Sequence, residues 1–213
     1  MNPTNFLGKK GEQGLRVDGF TLPDGHTLNL HLPAGGCGAV MGPSGSGKSL
    51  LLRAICDLDP HTTQISWKGV AQRDLPAPQW RSRVAYLPAE SAWWHDTVGA
   101  HFQDPEAAKP LLESLHLEPA CLTWSIHRTS SGERQRMAIA RLLARQPEVL
   151  LLDEPTANLD ATRAQLVEKV LTGFQASHNT TLLWITHDQA QALRVADQRI
   201  ELVPGEGFRE LEP

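Results

Sequence analysis

Apolar and polar positions alternate through Thr27-Leu28-Asn29-Leu30-His31-Leu32, the period of two expected of a strand with one buried face. Short pieces of the same kind run from Leu15 to Leu32, and Pro23-Asp24-Gly25 supplies a turn between two of them. Gln64-Ile65-Ser66-Trp67-Lys68-Gly69 predicts a further antiparallel strand ending in a turn. A different pattern marks Gly38-Ala39-Val40-Met41 and Val84-Ala85-Tyr86-Leu87-Pro88, short apolar strands, the second closed by proline. Val149–Leu152 and Thr181–Thr186 are unbroken apolar runs, as in parallel sheets covered on both faces. Ser49 to Ile55 opens a helix. Glu133 to Arg145 predicts another, with Met137, Ile139, Ala140, Leu142 and Leu143 on the packed side and arginines outside. Residues 89–128 carry several Pro and His without strand alternation and read as a small, mainly helical insert. Residues 1–14, rich in Gly, Lys and polar groups, are expected to fray.

Composition narrows this picture. A chain of 213 residues is long enough for one well-cored domain. The net charge of −4 argues against wholesale nucleic-acid binding, which shows as a basic excess. No apolar run approaches the ~20 residues of a membrane span. Met1 to Lys10 has no signal-peptide apolar core, so a cytoplasmic chain is expected. Cys37, Cys56 and Cys121 are widely spaced without a CxxC pair, which favours reduced thiols packed as small hydrophobes. The histidines show no metal-site spacing.

Gly42-Pro43-Ser44-Gly45-Ser46-Gly47-Lys48-Ser49 fits the phosphate-cradling P-loop pattern at every fixed position. Its glycines let the backbone wrap a polyphosphate without Cβ collisions, and its N–H groups point at the phosphates. Lys48 adds a positive charge, and the Ser49 hydroxyl can ligate Mg²⁺. A buried strand before the loop and a helix after it bring the helix N-terminus to the same place. The chain is therefore expected to bind a nucleoside triphosphate. Downstream, Leu150-Leu151-Leu152-Asp153-Glu154-Pro155 ends an apolar strand in two acids. Asp153 is suited to hold Mg²⁺ beside Ser49, and Glu154 to act as general base on water.

Thr129-Ser130-Ser131-Gly132-Glu133-Arg134-Gln135-Arg136 stands just before that strand and opens a helix. It resembles the Leu-Ser-Gly-Gly-Gln signature of ATP-binding cassette (ABC) ATPases. The same residues form an ordinary helix start, with Ser130 as N-cap and Glu133 closing a capping box. Both roles are compatible. The resemblance runs from about Leu15 to Leu202: Ala157-Asn158-Leu159-Asp160 is similar to the family's D-loop, and Thr186-His187-Asp188 to its switch histidine.

The resemblance implies an α/β fold: a P-loop NTPase core of mainly parallel sheet with flanking helices, an antiparallel β-subdomain and a short helical subdomain. Residues 1–88 and 129–213 would form the core and 89–128 the helical subdomain. It implies ATP and Mg²⁺ as ligands, with Ser49 and Asp153 on the metal and Glu154 and His187 as catalytic residues. Gly42 to Ser49 would hold the phosphates. Ser130, Ser131, Gly132 and Glu133 would meet the ATP of a second cassette, in a pair taken to be a homodimer. Phe20 lies where family members carry an aromatic that stacks on adenine; core packing is its other available role. A separate integral-membrane permease is the implied partner, with the chain peripheral on the inner face of the plasma membrane and no role for nucleic acid.

Some positions depart from the family pattern. Ala89 stands where a glutamine that touches Mg²⁺ and water is usual, with Glu90 as its neighbour. Thr129, Ser131 and Glu133 replace signature residues with others that keep the pocket open. A nucleotide-dependent interaction module with weak hydrolysis, not coupled to transport, is the rival reading. Trp93 and Trp94 lie near where relatives dock the permease, as interface anchors or as core of the insert.

Overall fold

The computed structural model describes residues 13–211; the frayed segment expected at 1–14 lies almost wholly outside the described residues. Strands β1 (Gly14–Thr21), β2 (Thr27–Pro33), β4 (Gln64–Trp67) and β5 (Val70–Ala71) form an antiparallel sheet in the order β2-β1-β4-β5. Alternation decides which face is buried: Leu28, Leu30 and Leu32 point into the core while Asn29 and His31 stay partly exposed. The pairing of β1 with β2 slips between Val17 and Phe20, where Gly19 takes a positive φ of 76°. That irregularity turns Phe20 inward.

The second sheet has six strands: β3 (Cys37–Met41), β6 (Val84–Leu87), β7 (Val149–Asp153), β8 (Thr181–Ile185), β9 (Gln198–Val203) and β10 (Gly207–Leu211). Their order is β10-β9-β3-β8-β7-β6, parallel except for the β9–β10 hairpin. The unbroken apolar runs follow from burial on both faces. Leu150, Leu152, Leu182 and Trp184 pack into one core cluster, and Val149, Leu151, Leu183 and Ile185 into the other.

Helices α1 (Lys48–Ile55), α2 (Ala77–Arg83), α3 (Pro105–Ser114), α4 (Ser131–Leu143), α5 (Ala161–His178) and α6 (Gln189–Val195) cover the sheet or lie in the insert. The sequence pattern places α1, α4 and a helical insert that holds α3, but not α2, α5 or α6. α5 carries clear stop signals all the same: Asp160 caps its start by accepting from the Arg163 N–H, and Asn179 closes it in the left-handed conformation at φ 53°. The arginines of α4 are not all outside. Arg136 is buried near Glu133, Asp160 and Arg163, and burial lowers its pKa. All three cysteines are free and buried, and burial pushes the Cys56 thiol up to about 11.

Between β6 and α4 the chain holds α3 and short 3₁₀ turns at Gly99–His101, Pro119–Thr123 and Ile126–Arg128. The two tryptophans divide. Trp93 packs partly buried against the core, whereas Trp94 is 65% exposed. The Arg141 guanidinium lies over both rings, 4.5 Å from Trp93 and 5.1 Å from Trp94, and donates to the Ala92 carbonyl.

Buried His101 pins this loop. Its Nε2 accepts the backbone N–H groups of Trp94 and His95, each at 2.9 Å, while Nδ1 faces the carbonyls of Thr97 and Val98. A neutral ring with its proton on Nδ1 satisfies every one of these contacts. Burial lowers the His101 pKa; the two carbonyls oppose that shift, and Arg141 and His95 add to it. A depressed folded-state pKa means the His101 contribution is complete above the ordinary value of about 6.5 and is lost as pH falls toward the folded value. Thermal melts below that pH should show one extra destabilising proton, together with a change in tryptophan emission. His101→Gln should lack both. Identical pH profiles for the two proteins would refute the neutral pin.

Candidate active site

Strands β3, β7 and β8 end side by side, and each delivers a motif to the same edge of the parallel sheet. This is where open α/β sheets bind ligands. After β3 the chain turns through Gly42, Gly45 and Gly47, all at positive φ (139°, 80° and 100°), before α1 begins at Lys48. A Cβ at Gly47 would sit 2.6 Å from Cδ of Pro23, and one at Gly42 would sit 2.7 Å from the Leu202 carbonyl oxygen. Only glycine fits these two positions.

Lys48 is buried, and its Nζ donates to the carbonyls of Gly42 (2.8 Å) and Pro43 (2.7 Å). Burial lowers its pKa, opposed by the charges of Glu154 and Asp153. An ammonium has three donors, so one remains beyond the loop carbonyls. Pro43, Ser44 and Gly45 are exposed along the loop rim, as is Ser49 at the start of α1. Ser46 Oγ is buried without a hydrogen-bond partner among the described residues. A cradle that excludes Cβ atoms, a spare ammonium donor and an orphan hydroxyl fit a polyphosphate.

Asp153 ends β7 with 4% exposure, and its Oδ2 accepts from Tyr86 Oη on β6 at 3.0 Å. Burial and the neighbouring carboxylate hold the Tyr86 phenol well above its ordinary pKa, so it stays a donor. The other carboxylate oxygen is left for a cation, and oxygen donors from Asp153 and Ser49 suit Mg²⁺. Tyr86→Phe is expected to raise the Mg²⁺ concentration needed for nucleotide binding on the order of tenfold, as for other groups that orient a metal ligand. Mn²⁺ titration followed by electron paramagnetic resonance checks this directly. An unchanged metal affinity would show that Tyr86 does not orient Asp153.

Glu154 adopts φ 47°, a conformation that costs a residue with Cβ about 1–2 kcal/mol. Its N–H donates to the Ile185 carbonyl at 3.0 Å, fixing the strained turn to β8. His187 follows β8, and its Nε2 meets Glu154 Oε1 at 2.6 Å. Side chains 33 positions apart in sequence are thus in direct contact.

Ser130 caps α4. Its hydroxyl accepts from the Glu133 N–H, and Glu133 Oε2 accepts from the Ser130 N–H (2.8 Å) and hydroxyl (2.7 Å). The Ser130 backbone bond first, and its hydroxyl second, hold the Glu133 carboxyl below its usual pKa. Ser131 is exposed, and a Cβ at Gly132 would come within 3.2 Å of Leu159 in the loop after Glu154. The capping role expected of this segment is therefore present.

Phe20 is a correction. It is 6% exposed and sits in the core with Leu22, Leu28 and Leu51, so its face is not offered to an adenine. The β1 irregularity at Gly19 is the physical reason. Leu22, Pro23 and Asp24 instead line a cleft of about 230 Å³ with Ser44 to Ser46. Ala89 and Glu90 are both exposed just beyond β6. Sequence reading missed Tyr86 and a buried polar group on α5 and α6, because neither lies within a recognisable motif.

A mainly parallel sheet carrying a glycine loop, two acids and a histidine at one edge defines a P-loop nucleotide-binding cassette. The profile of the ABC transporter family matches residues 26–157, and the chain belongs to that family. The chain is 35% identical over 192 residues to the Fe(3+) ions import ATP-binding protein FbpC of Pseudomonas fluorescens, covering 83% of this chain and 54% of that protein. It is also 35% identical over 184 residues to the aliphatic sulfonates import ATP-binding protein SsuB of Pseudomonas putida, covering 84% of this chain and 67% of that protein. The chain thus spans little more than half the length of the first relative. A dimeric ATP-binding cassette in a post-hydrolysis state with ADP and Pi shares its fold at a TM-score of 0.80 and 23% identity, covering 93% of this chain and 99% of that one.

Proposed function

We propose that this chain is the ATP-binding and ATP-hydrolysing subunit of an ABC transporter, paired with a second cassette around two ATP molecules and driving a separate membrane permease. The observation that carries the reading is the contact of His187 with Glu154 beside the P-loop and Asp153. Loop N–H groups and Lys48 bind the β- and γ-phosphates. Ser49 and Asp153 would hold Mg²⁺, which when bound neutralises charge on those phosphates. Glu154 takes the proton of the attacking water as its oxygen bonds to the γ-phosphorus and ADP departs. His187 orients that carboxylate and lies on the γ-phosphate side. The start of α4, exposed at Ser130 and Ser131 and partly exposed at Gly132 and Glu133, reaches the partner's ATP with its N-terminal N–H groups.

Among the described residues no helix is long and apolar enough to cross a membrane. The same reading puts the chain in the cytoplasm, peripheral on the inner membrane face, with residues 89–128 as its helical subdomain. The two relatives described above are import ATP-binding proteins, which favours import as the direction. Co-purification of the chain with a membrane permease, and ATP turnover that rises in its presence, test the assignment. Turnover in the absence of any membrane partner, with no rise on adding one, would overturn it. Basal turnover should be slow because Ala89 offers no side-chain oxygen where the family pattern places a glutamine. Ala89→Gln is expected to raise it several-fold, since a held ligand replaces a free water. Abolition of turnover by Glu90→Ala, with ATP binding intact, would instead make Glu90 the substitute ligand.

A further inference from the structure

Gln191 lies on α6, outside every motif, and is 3% exposed. Its carboxamide is fully engaged. Oε1 accepts from Thr186 Oγ1 at 2.7 Å, and Nε2 donates to Thr156 Oγ1 and to Glu168 Oε1, each at 2.8 Å. The orientation of the amide is fixed, because the ionised Glu168 carboxylate can only accept. Arg194 holds that carboxylate in turn, donating from Nε at 3.0 Å and Nη2 at 2.8 Å. Burial raises the Glu168 pKa, but Arg194 and Gln191 outweigh it and leave the group below its ordinary value.

The partners of this amide matter by their position. Thr156 comes two residues after Glu154, and Thr186 comes immediately before His187. Thr186 Oγ1 also accepts the Asp188 N–H at 3.1 Å, and Asp188 Oδ1 accepts the Gln191 N–H at 3.1 Å. One side chain therefore ties the turn after β7 to the turn after β8. The turn after β7 is the strained one, with Glu154 at φ 47°. Thr156, Glu168 and Gln191 line, with Glu154 and His187, one cleft of about 420 Å³.

We infer that Gln191 is a positioning residue that holds Glu154 and His187 in register by bridging Thr156, Thr186 and Glu168. The inference rests on the reading above, in which Glu154 and His187 act on the attacking water and the γ-phosphate. Gln191 touches neither reacting group. Its loss should therefore lower kcat and leave the P-loop's hold on ATP intact.

The test uses the full chain, with ATP turnover, fluorescent-nucleotide affinity and thermal melting measured on each variant. Gln191→Glu sets a second buried carboxylate against Glu168, and the repulsion between them should break the bridge. It is expected to lower kcat about tenfold or more, as misplaced catalytic groups do, with ATP affinity unchanged. The reciprocal pair Gln191→Glu with Glu168→Gln restores one amide and one carboxylate at the same sites, and kcat should recover. Thr156→Val removes only the bond to the Glu154 turn and guards against misfolding of the first variant; it should lower kcat at unchanged affinity. Wild-type kcat in Gln191→Glu and Thr156→Val would overturn the inference. So would a parallel loss of kcat, affinity and melting temperature that the reciprocal pair does not reverse, since that is the behaviour of a purely structural contact. A wild-type chain without turnover would instead overturn the functional reading itself.

Discussion

Glu154→Gln is expected to lower ATP turnover by on the order of 10²–10⁴-fold, the span that a positioned general base contributes. The amide keeps the shape of the side chain but cannot take the water's proton. Nucleotide affinity should hold, because the phosphate cradle is built from Gly42 to Lys48 and not from this residue. The variant should therefore accumulate as an ATP-bound pair of cassettes. Size-exclusion chromatography with radiolabelled ATP, beside a phosphate-release assay, reads both effects at once. Turnover close to wild type in a preparation free of contaminating ATPase would remove Glu154 from the role of base. The side chain would keep its 2.6 Å contact with His187 in that event, as a structural pair only.

Lys48→Ala should act earlier, at binding. It removes the buried cation and leaves the carbonyls of Gly42 and Pro43 without the donor that braces them. Hydrogen bonds to charged groups contribute about 1.5–3 kcal/mol each, so ATP affinity is expected to fall on the order of 10- to 100-fold. Isothermal titration with ATP in the absence of turnover measures this directly. The melting temperature should barely move, since Lys48 bears a desolvation cost that the substitution relieves. Unchanged ATP affinity would contradict the placement of the phosphates at this loop. The two substitutions should separate binding from chemistry: one slows turnover with ATP held, the other weakens the hold on ATP.

The parallel strands were legible because burial on both faces demands unbroken apolar runs, and Val149–Leu152 and Thr181–Thr186 supply them. The P-loop was legible for a stricter reason. Gly42 and Gly47 have other atoms where a Cβ would stand, so the loop must write its glycines into the sequence. The capping box at Ser130 and Glu133 is local as well, closing within one helical turn. α5 escaped the pattern reading because its buried face is narrow: Val167, Glu168, Leu171 and Phe174 are its buried residues, and one of them is charged. β9 and β10 escaped because polar and charged residues interrupt them.

Phe20 shows the limit of counting along the chain. Its place in the chain is where the family resemblance puts an adenine-stacking ring, yet a one-residue irregularity in β1 faces it into the core. Trp93 and Trp94 are adjacent and chemically alike, and Arg141 lies over both; only packing against the core separates the partly buried ring from the exposed one.

The sequence alone determined the family and the local form of the glycine loop, because a loop whose backbone packs this closely leaves no room for a Cβ at Gly42 and Gly47 and must write glycine there. Tertiary structure alone decided which groups act together. The contact of Glu154 with His187, the bond from Tyr86 to Asp153 and the bridge made by Gln191 each join residues far apart in the chain. A hydrogen bond depends on position in space to a few tenths of an ångström, and no local pattern of polar and apolar residues encodes that.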